Sequence, residues 1–366
     1  MSQQVGEDAV RSDYGIRRFR PEDVDAFLAL HRETFGTDHD REWFAWKYEE
    51  NPYVYHVPIF VAERAGELVG ARPFFALELS VNGGRHLALQ PCDTMVHPDH
   101  RQRGLSARLN EAAIEKYRDR DVSFLFDFPD ERTAADHLQR GWKRVADQPT
   151  YYRVQNPAGL QNVSSTWASL GVRALTPLLE GYNRLSTGRL SAPEAVTVER
   201  HDAVPAATLA GIEYDRRKKG IHIHRDLRFY DWRFRNPARD HAAYVARRDG
   251  EPIAGVVVAT SADGAVATLT DVTPLPDGDD RGGLEALLDR VVREYADADV
   301  VAAPPVLPDD LASRASFHRD DRWPLSAVAT RTAHLVRELS GGWRVDGLDV
   351  TDADNWQLTF AERRTN

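Results

Sequence analysis

Two stretches of this chain, roughly 185 residues apart, carry the same features in the same order, so the fold is expected to use one unit twice. Around Trp46 the chain reads WKYEENPYVYHVPIFVAERAGELVG; around Trp232 it reads WRFRNPARDHAAYVARRDGEPIAG. An aromatic-basic-aromatic triplet, an Asn-Pro turn, a Val-Ala strand and a Gly-Glu hairpin recur in both. The match continues into LTDVTPLPDGDDRGGLEALLDRVVREYADADVV from Leu269, where Leu284, Leu287, Leu288, Val291 and Tyr295 form the apolar face of a helix between two strands.

The first copy is chemically richer at the matching place. LALQPCDTMV (Leu87 to Val96) reads as a strand that Pro98 ends, and from Leu105 apolar residues recur at Leu109, Ala112, Ala113 and Tyr117, as an amphipathic helix requires. Between them lies Arg101-Gln102-Arg103-Gly104-Leu105-Ser106. Free amides at a helix start and the positive end of its dipole favour a diphosphate. Gly104 lets the backbone approach such a group without a side chain intervening, and Arg101 and Arg103 add positive charge. VSFLFDF (Val122 to Phe128) then predicts a strand, Glu131 to Arg140 a short helix, and Gly141 its end before Trp142 opens another strand.

Strand, R-x-x-G-x-S loop, helix, strand, short helix and Gly-Trp follow in the order of GNAT (GCN5-related N-acetyltransferase) enzymes, which residues 14–155 resemble, most specifically from Cys92 to Trp142. Ser106 stands where that family prefers Gly or Ala. The resemblance implies an α/β fold of two tandem GNAT-like domains, each a mixed, mostly antiparallel twisted sheet flanked by helices. It implies an acyl-CoA co-substrate held by main chain at Met95, Val96 and His97, by the loop Arg101, Gln102, Arg103, Gly104, Leu105 and Ser106, and by Asp130 and Thr133. No metal is implied.

His137 occupies the register of the tyrosine that protonates the departing thiolate in many such enzymes. An imidazolium can donate that proton, and acid catalysis of this kind contributes ~10²–10⁴-fold; a packed structural histidine is the other reading. Asp93 and Asp127, with His97 and His100 behind them, are the candidate bases for the amine, or else ordinary surface charges. The function implied is transfer of an acetyl or other acyl group to a primary amine, small or peptidic, by direct attack. A non-catalytic module that senses acyl-CoA or binds a partner is the alternative, favoured by the missing tyrosine and the degenerate second copy.

That degeneracy is visible at Arg281, two residues before Gly283 instead of three, and at Asp277, Asp279 and Asp280, which would repel a diphosphate. His318 precedes Trp323 by the spacing that separates His137 from Trp142, which suggests a shared structural role. The expected division is a disordered tail at 1–13, the acyl-CoA domain at 14–155, a helical linker at 156–193, the second domain at 194–340 and a C-terminal extension at 341–366, whose WQLTF segment would complete the second sheet.

Composition sets the surroundings. Acidic residues number 57 and basic 47, a net charge of −10, with 36 Asp, 42 Arg and only 5 Lys. Such an acidic, lysine-poor surface fits hydration in concentrated salt, as in extreme halophiles, although codon bias produces part of the same pattern. It argues against nucleic acid as a partner, since the Arg216–Lys219 run is the one basic cluster. One cysteine, Cys92, excludes an internal disulfide, and no apolar run approaches the ~18 residues of a membrane span, so a cytoplasmic setting is expected.

Overall fold

A computed structural model describes residues 13–118, 122–156, 190, 195–214, 219–276, 281–323, 325–327, 331–339, 341–363 and 365. The expected linker helix, residues 1–12 of the tail and most of the basic run lie outside these residues.

The amino-terminal half runs β1 (Gly15–Arg18), α1 (Val24–Phe35), α2 (Arg41–Phe44), β2 (Ile59–Arg64), β3 (Glu67–Val81), β4 (Gly84–Pro91), β5 (Met95–Val96), α3 (Leu105–Arg118), β6 (Val122–Asp127), α4 (Glu131–Gln139), β7 (Lys143–Gln148) and β8 (Tyr151–Val154). After it come β9 (Val196–His201), α5 (Ala206–Tyr214), β10 (Ile221–Ile223), α6 (Leu227–Arg233), β11 (Asp240–Arg248), β12 (Glu251–Thr260), β13 (Val266–Thr273), α7 (Gly282–Glu294), β14 (Val300–Ala303), α8 (Asp309–Arg314), β15 (His318–Arg319) and β16 (Thr332–Glu338). A hairpin, β17 (Arg344–Val345) and β18 (Leu348–Asp349), and a final turn of helix α9 (Phe360–Arg363) close the chain. Both large sheets are mostly antiparallel, with one parallel pairing each, β4 with β6 and β13 with β14.

The repeat is visible in matched local chemistry. Asp40 caps α2 by accepting from the Trp43 amide at 2.9 Å, and Asp226 caps α6 by accepting from the Phe229 amide at 2.9 Å. The Asn-Pro turns match too: Asn51 accepts from the Tyr53 amide and Asn236 from the Ala238 amide. Most telling is the contact between copies. Trp46 Nε1 donates to the Trp232 carbonyl at 2.9 Å and Trp232 Nε1 to the Trp46 carbonyl at 2.8 Å, a reciprocal pair of the kind a two-fold axis generates. Both indoles are buried in a core cluster that draws on both halves.

The sheets do not follow the expected division near residue 155. β16, from the second half, lies between β6 and β7 of the first sheet, and β8, from the first half, lies between β14 and β15 of the second. Each sheet therefore takes in strand from the other half: β8 in the second sheet, and β16 together with β10, which pairs with β3, in the first.

The C-terminal segment does not add a strand to the second sheet, contrary to the reading of WQLTF. Trp356 makes one isolated bridge to Ile221, and its ring packs on Phe124 and Phe126 of the first sheet. Leu358, Phe360 and Ala361 bury themselves beyond it, which is the apolar signal that the sequence showed.

His334 of β16 is fully buried, stacked on Phe128 at 4.7 Å and edge-on to Trp356 at 4.5 Å. Burial pushes its imidazole down from 6.5 to about 3. It stays neutral in the folded chain and takes up a proton on unfolding, so its contribution to stability is whole above the unfolded value and drains away as pH falls toward the folded one. Between about pH 6.5 and pH 5 the wild type should lose about 2 kcal/mol more than His334→Phe. Urea unfolding at the two pH values checks this, and equal losses in both proteins would contradict it.

Candidate active site

The expected strand LALQPCDTMV is broken in two. β4 pairs with β3 as far as Phe74 opposite Pro91, and β3 resumes with β5 at Ala71 opposite Met95. Between the two, Asp93 takes φ +41°, a left-handed conformation that an aspartate adopts at some cost. β4 runs parallel to β6 only from Leu87 to Leu89, and β5 has no pairing to β6 among the described residues. The edge of Met95 and Val96 and the end of β6 at Asp127 thus border a splay in the sheet.

The phosphate-sized turn follows at once. His97 begins it, its Nδ1 accepting from the Asp99 amide at 3.2 Å, and the chain curls through Gln102 at φ +61° and Gly104 at φ +71° into α3. Left-handed residues in a turn can bring successive amides toward one side, and the first-turn amides of a helix such as α3 lack partners within the helix. A Cβ on Gly104 would meet no atom within 4 Å, so the space before it is open while its conformation calls for glycine. Arg101, Gln102, Arg103, Gly104 and Ser106 are exposed around this turn, whereas Leu105 is buried and anchors the helix. The arginines are braced: Arg101 Nε donates to the Val96 carbonyl, and Arg103 donates to the Tyr14 hydroxyl at 2.8 Å and to the Asp99 carbonyl at 3.2 Å. Amides, a glycine and two cations form a donor set that fits a diphosphate.

Two of the candidate catalytic residues come together. His137 Nε2 lies 3.1 Å from Asp127 Oδ2, both nearly buried, and the imidazole stacks on Trp142 at 4.6 Å. Its Nδ1 has no hydrogen-bond partner. The other carboxylate oxygen of Asp127 accepts from the Phe128 amide.

Asp93 is held elsewhere, by Lys47 Nζ at 2.6 Å and the Tyr48 hydroxyl at 2.6 Å. Burial would raise its proton affinity, but the Lys47 ammonium and the Tyr48 hydroxyl keep its carboxyl below the usual range. Cys92, beside it, is driven to about 12 by burial and stays a thiol. Asp130 gives its carboxylate to the cap of α4, accepting from the Thr133 amide at 2.7 Å. His97 reaches Glu33 at 3.1 Å, tying the end of α1 to the splay, and His100 pairs with the Tyr14 hydroxyl at 2.9 Å.

Tyr14, Lys47 and Arg72 are the parts of this site that the sequence did not single out, and Tyr48 stood out only as one of a cluster of first-domain aromatics. Lys47 had a signal, the Trp-Lys-Tyr triplet of the repeat, whose counterpart Arg233 is also buried. The equation of His318 with His137 does not hold. Ser316, left-handed at φ +58°, and buried Phe317 stand as Gly141 and Trp142 do, for the Phe317 amide bonds the Ala312 carbonyl as the Trp142 amide bonds that of His137. Ala312 is therefore the counterpart of His137, while His318 lies on β15 and Trp323 is 66% exposed.

Residues 15–144 match the model of the acetyltransferase (GNAT) domain. The chain is similar in fold to a GCN5-related N-acetyltransferase from Anabaena variabilis, with a TM-score of 0.62 at 10% identity over 89% of this chain and 73% of that one. A GCN5-related N-acetyltransferase from Kribbella flavida matches at 0.59 and 16% identity, covering 89% and 71%. A probable N-acyltransferase from Enterococcus faecalis, a conserved protein of unknown function, matches at 0.62 and 11%, covering 89% and 73%. No curated protein is significantly similar to it in sequence. These structures show a GNAT-like fold, and the domain match over residues 15–144 supports acyl transfer as the general chemistry. No helix among the described residues is long and apolar enough to cross a membrane.

Proposed function

We propose that this chain is an N-acyltransferase that takes an acyl group from acyl-CoA to a primary amine. The observation that supports the reading is the open turn from Arg101 to Ser106, left-handed at Gln102 and Gly104 and following directly on the strand break at Asp93. In this reading the thioester supplies an activated acyl group. Arg101, Arg103 and the first-turn amides of α3 hold the diphosphate, and main chain at Met95, Val96 and His97 orients the pantetheine arm, with Thr133 beside it. Asp127 orients the His137 imidazole through Nε2, and His137 is assigned the proton that the departing sulfur needs. Asp93, kept ionised by Lys47, is assigned to fixing the strand break and not to taking the proton of the amine.

Thiol release from acetyl-CoA across a panel of small and peptidic amines tests the reaction. His137→Phe should keep acetyl-CoA affinity within about twofold and lower kcat by ~10²-fold or more. Full activity in that variant would remove the acid assignment. Binding without turnover by any amine would favour the non-catalytic reading.

A further inference from the structure

Arg72 sits on β3 at the point where that strand changes partner from β4 to β5. Its side chain is nearly buried, at 3% exposure, beneath the break that contains Asp93 and Thr94. One guanidinium nitrogen donates to Thr94 Oγ1 at 2.9 Å and another to Asn110 Oδ1 on α3 at 3.1 Å, while Nε has no partner. The Phe74 ring lies 5.7 Å away. Among the described residues no carboxylate comes within ion-pair distance of it. Buried cations are costly unless an anion answers them, and arginine does not escape the cost by losing its proton.

The charged and titratable groups in the field of Arg72 are already engaged. Asp127 of β6 faces His137, Asp136 of α4 pairs with Arg140 at 2.9 Å, and Cys92 is a neutral thiol. Arg72 therefore has no direct ion pair among the described residues, with Asp127 and Asp136 acting on it only through their field, and its unpartnered Nε lies under the strand break. Such a charge stabilises an anion that is present only part of the time.

We propose that Arg72 is the counter-cation for the sulfur that leaves during acyl transfer, a role that rests on the acyltransferase reading above. The amine nitrogen forms the C–N bond as the C–S bond breaks, and the C–S electron pair leaves on sulfur. The amine proton passes to water. The thiolate then carries one negative charge opposite the guanidinium until His137 protonates it, and His137 recovers its proton from solvent. Thr94 and Asn110 hold the guanidinium in place, so Arg72 acts by its field on the break above it.

Calorimetric binding of CoA and of desulfo-CoA, which lacks the thiol, tests this at about pH 7 and about pH 9. In the wild type the preference for CoA should rise with pH, by about tenfold for each unit by which the bound thiol's pKa is lowered. Arg72→Met should bind desulfo-CoA as the wild type does and lose that rise, and Arg72→Lys should retain part of it. A wild-type preference that does not rise with pH overturns the proposal without any variant, as does an unchanged rise in Arg72→Met. Failure of the wild type to bind either compound overturns the acyltransferase reading as well.

Discussion

Charge reversal at Arg103 should weaken acetyl-CoA binding by about a hundredfold and leave the unfolding midpoint within a few degrees of wild type. The guanidinium is exposed, bonded to the Tyr14 hydroxyl and the Asp99 carbonyl at the rim of the turn, so little of the core depends on it. Each hydrogen bond between charged partners is worth about 1.5–3 kcal/mol, and Arg103→Glu replaces that attraction with repulsion of a diphosphate. A hundredfold loss corresponds to about 2.7 kcal/mol, inside this range. Calorimetric titration reads the affinity and a thermal melt the fold. Undiminished binding in the variant would move the diphosphate away from this turn.

The largest effect on stability is expected at Arg225. Its guanidinium, 2% exposed, bonds Asp271 at 2.8 Å, Glu362 at 3.0 Å and Thr359 at 3.1 Å, and both carboxylates are as deeply buried. Tyr230 also donates to Asp271 at 3.0 Å. Arg225→Met leaves two carboxylates facing each other in the core, and removal of one partner from a buried ion pair costs about 3–5 kcal/mol. Because Thr359 and Glu362 belong to the last turn of the chain, that segment should loosen first. Urea unfolding gives the loss, and limited proteolysis should cut the variant near its C-terminus. Adding Asp271→Asn should recover part of the stability; a single variant as stable as wild type would show that the network contributes nothing.

Much of this architecture was legible because its signals are local. The Trp-Lys-Tyr and Trp-Arg-Phe triplets gave the repeat its register, and the same tryptophans bond each other across it. The turn from Arg101 to Ser106 could be read because a glycine, two arginines and an amphipathic helix fall within a few residues. The remainder depends on partners far apart in sequence. Nothing in Tyr151–Val154 or Thr332–Glu338 specifies which sheet accepts the strand, since alternation encodes a buried face and not a neighbour. Lys47 and Asp93 meet across 46 residues. Arg72 lies in a run of strand residues where a charge reads as an interruption. The false equation of His318 with His137 arose because the same His–Trp spacing recurs there, while in the structure the left-handed turn falls earlier, at Ser316.

The exchange of β8 and β16 ties the two halves together in the way that exchanged strands tie the subunits of a dimer. A cut between its halves would not yield two independent domains, because each piece would carry away a strand that belongs to the other and leave an interior gap flanked by unpaired edges. The second half is thus needed for the fold of the first, whatever its own chemistry. It persists as the obligatory mould against which the first half closes.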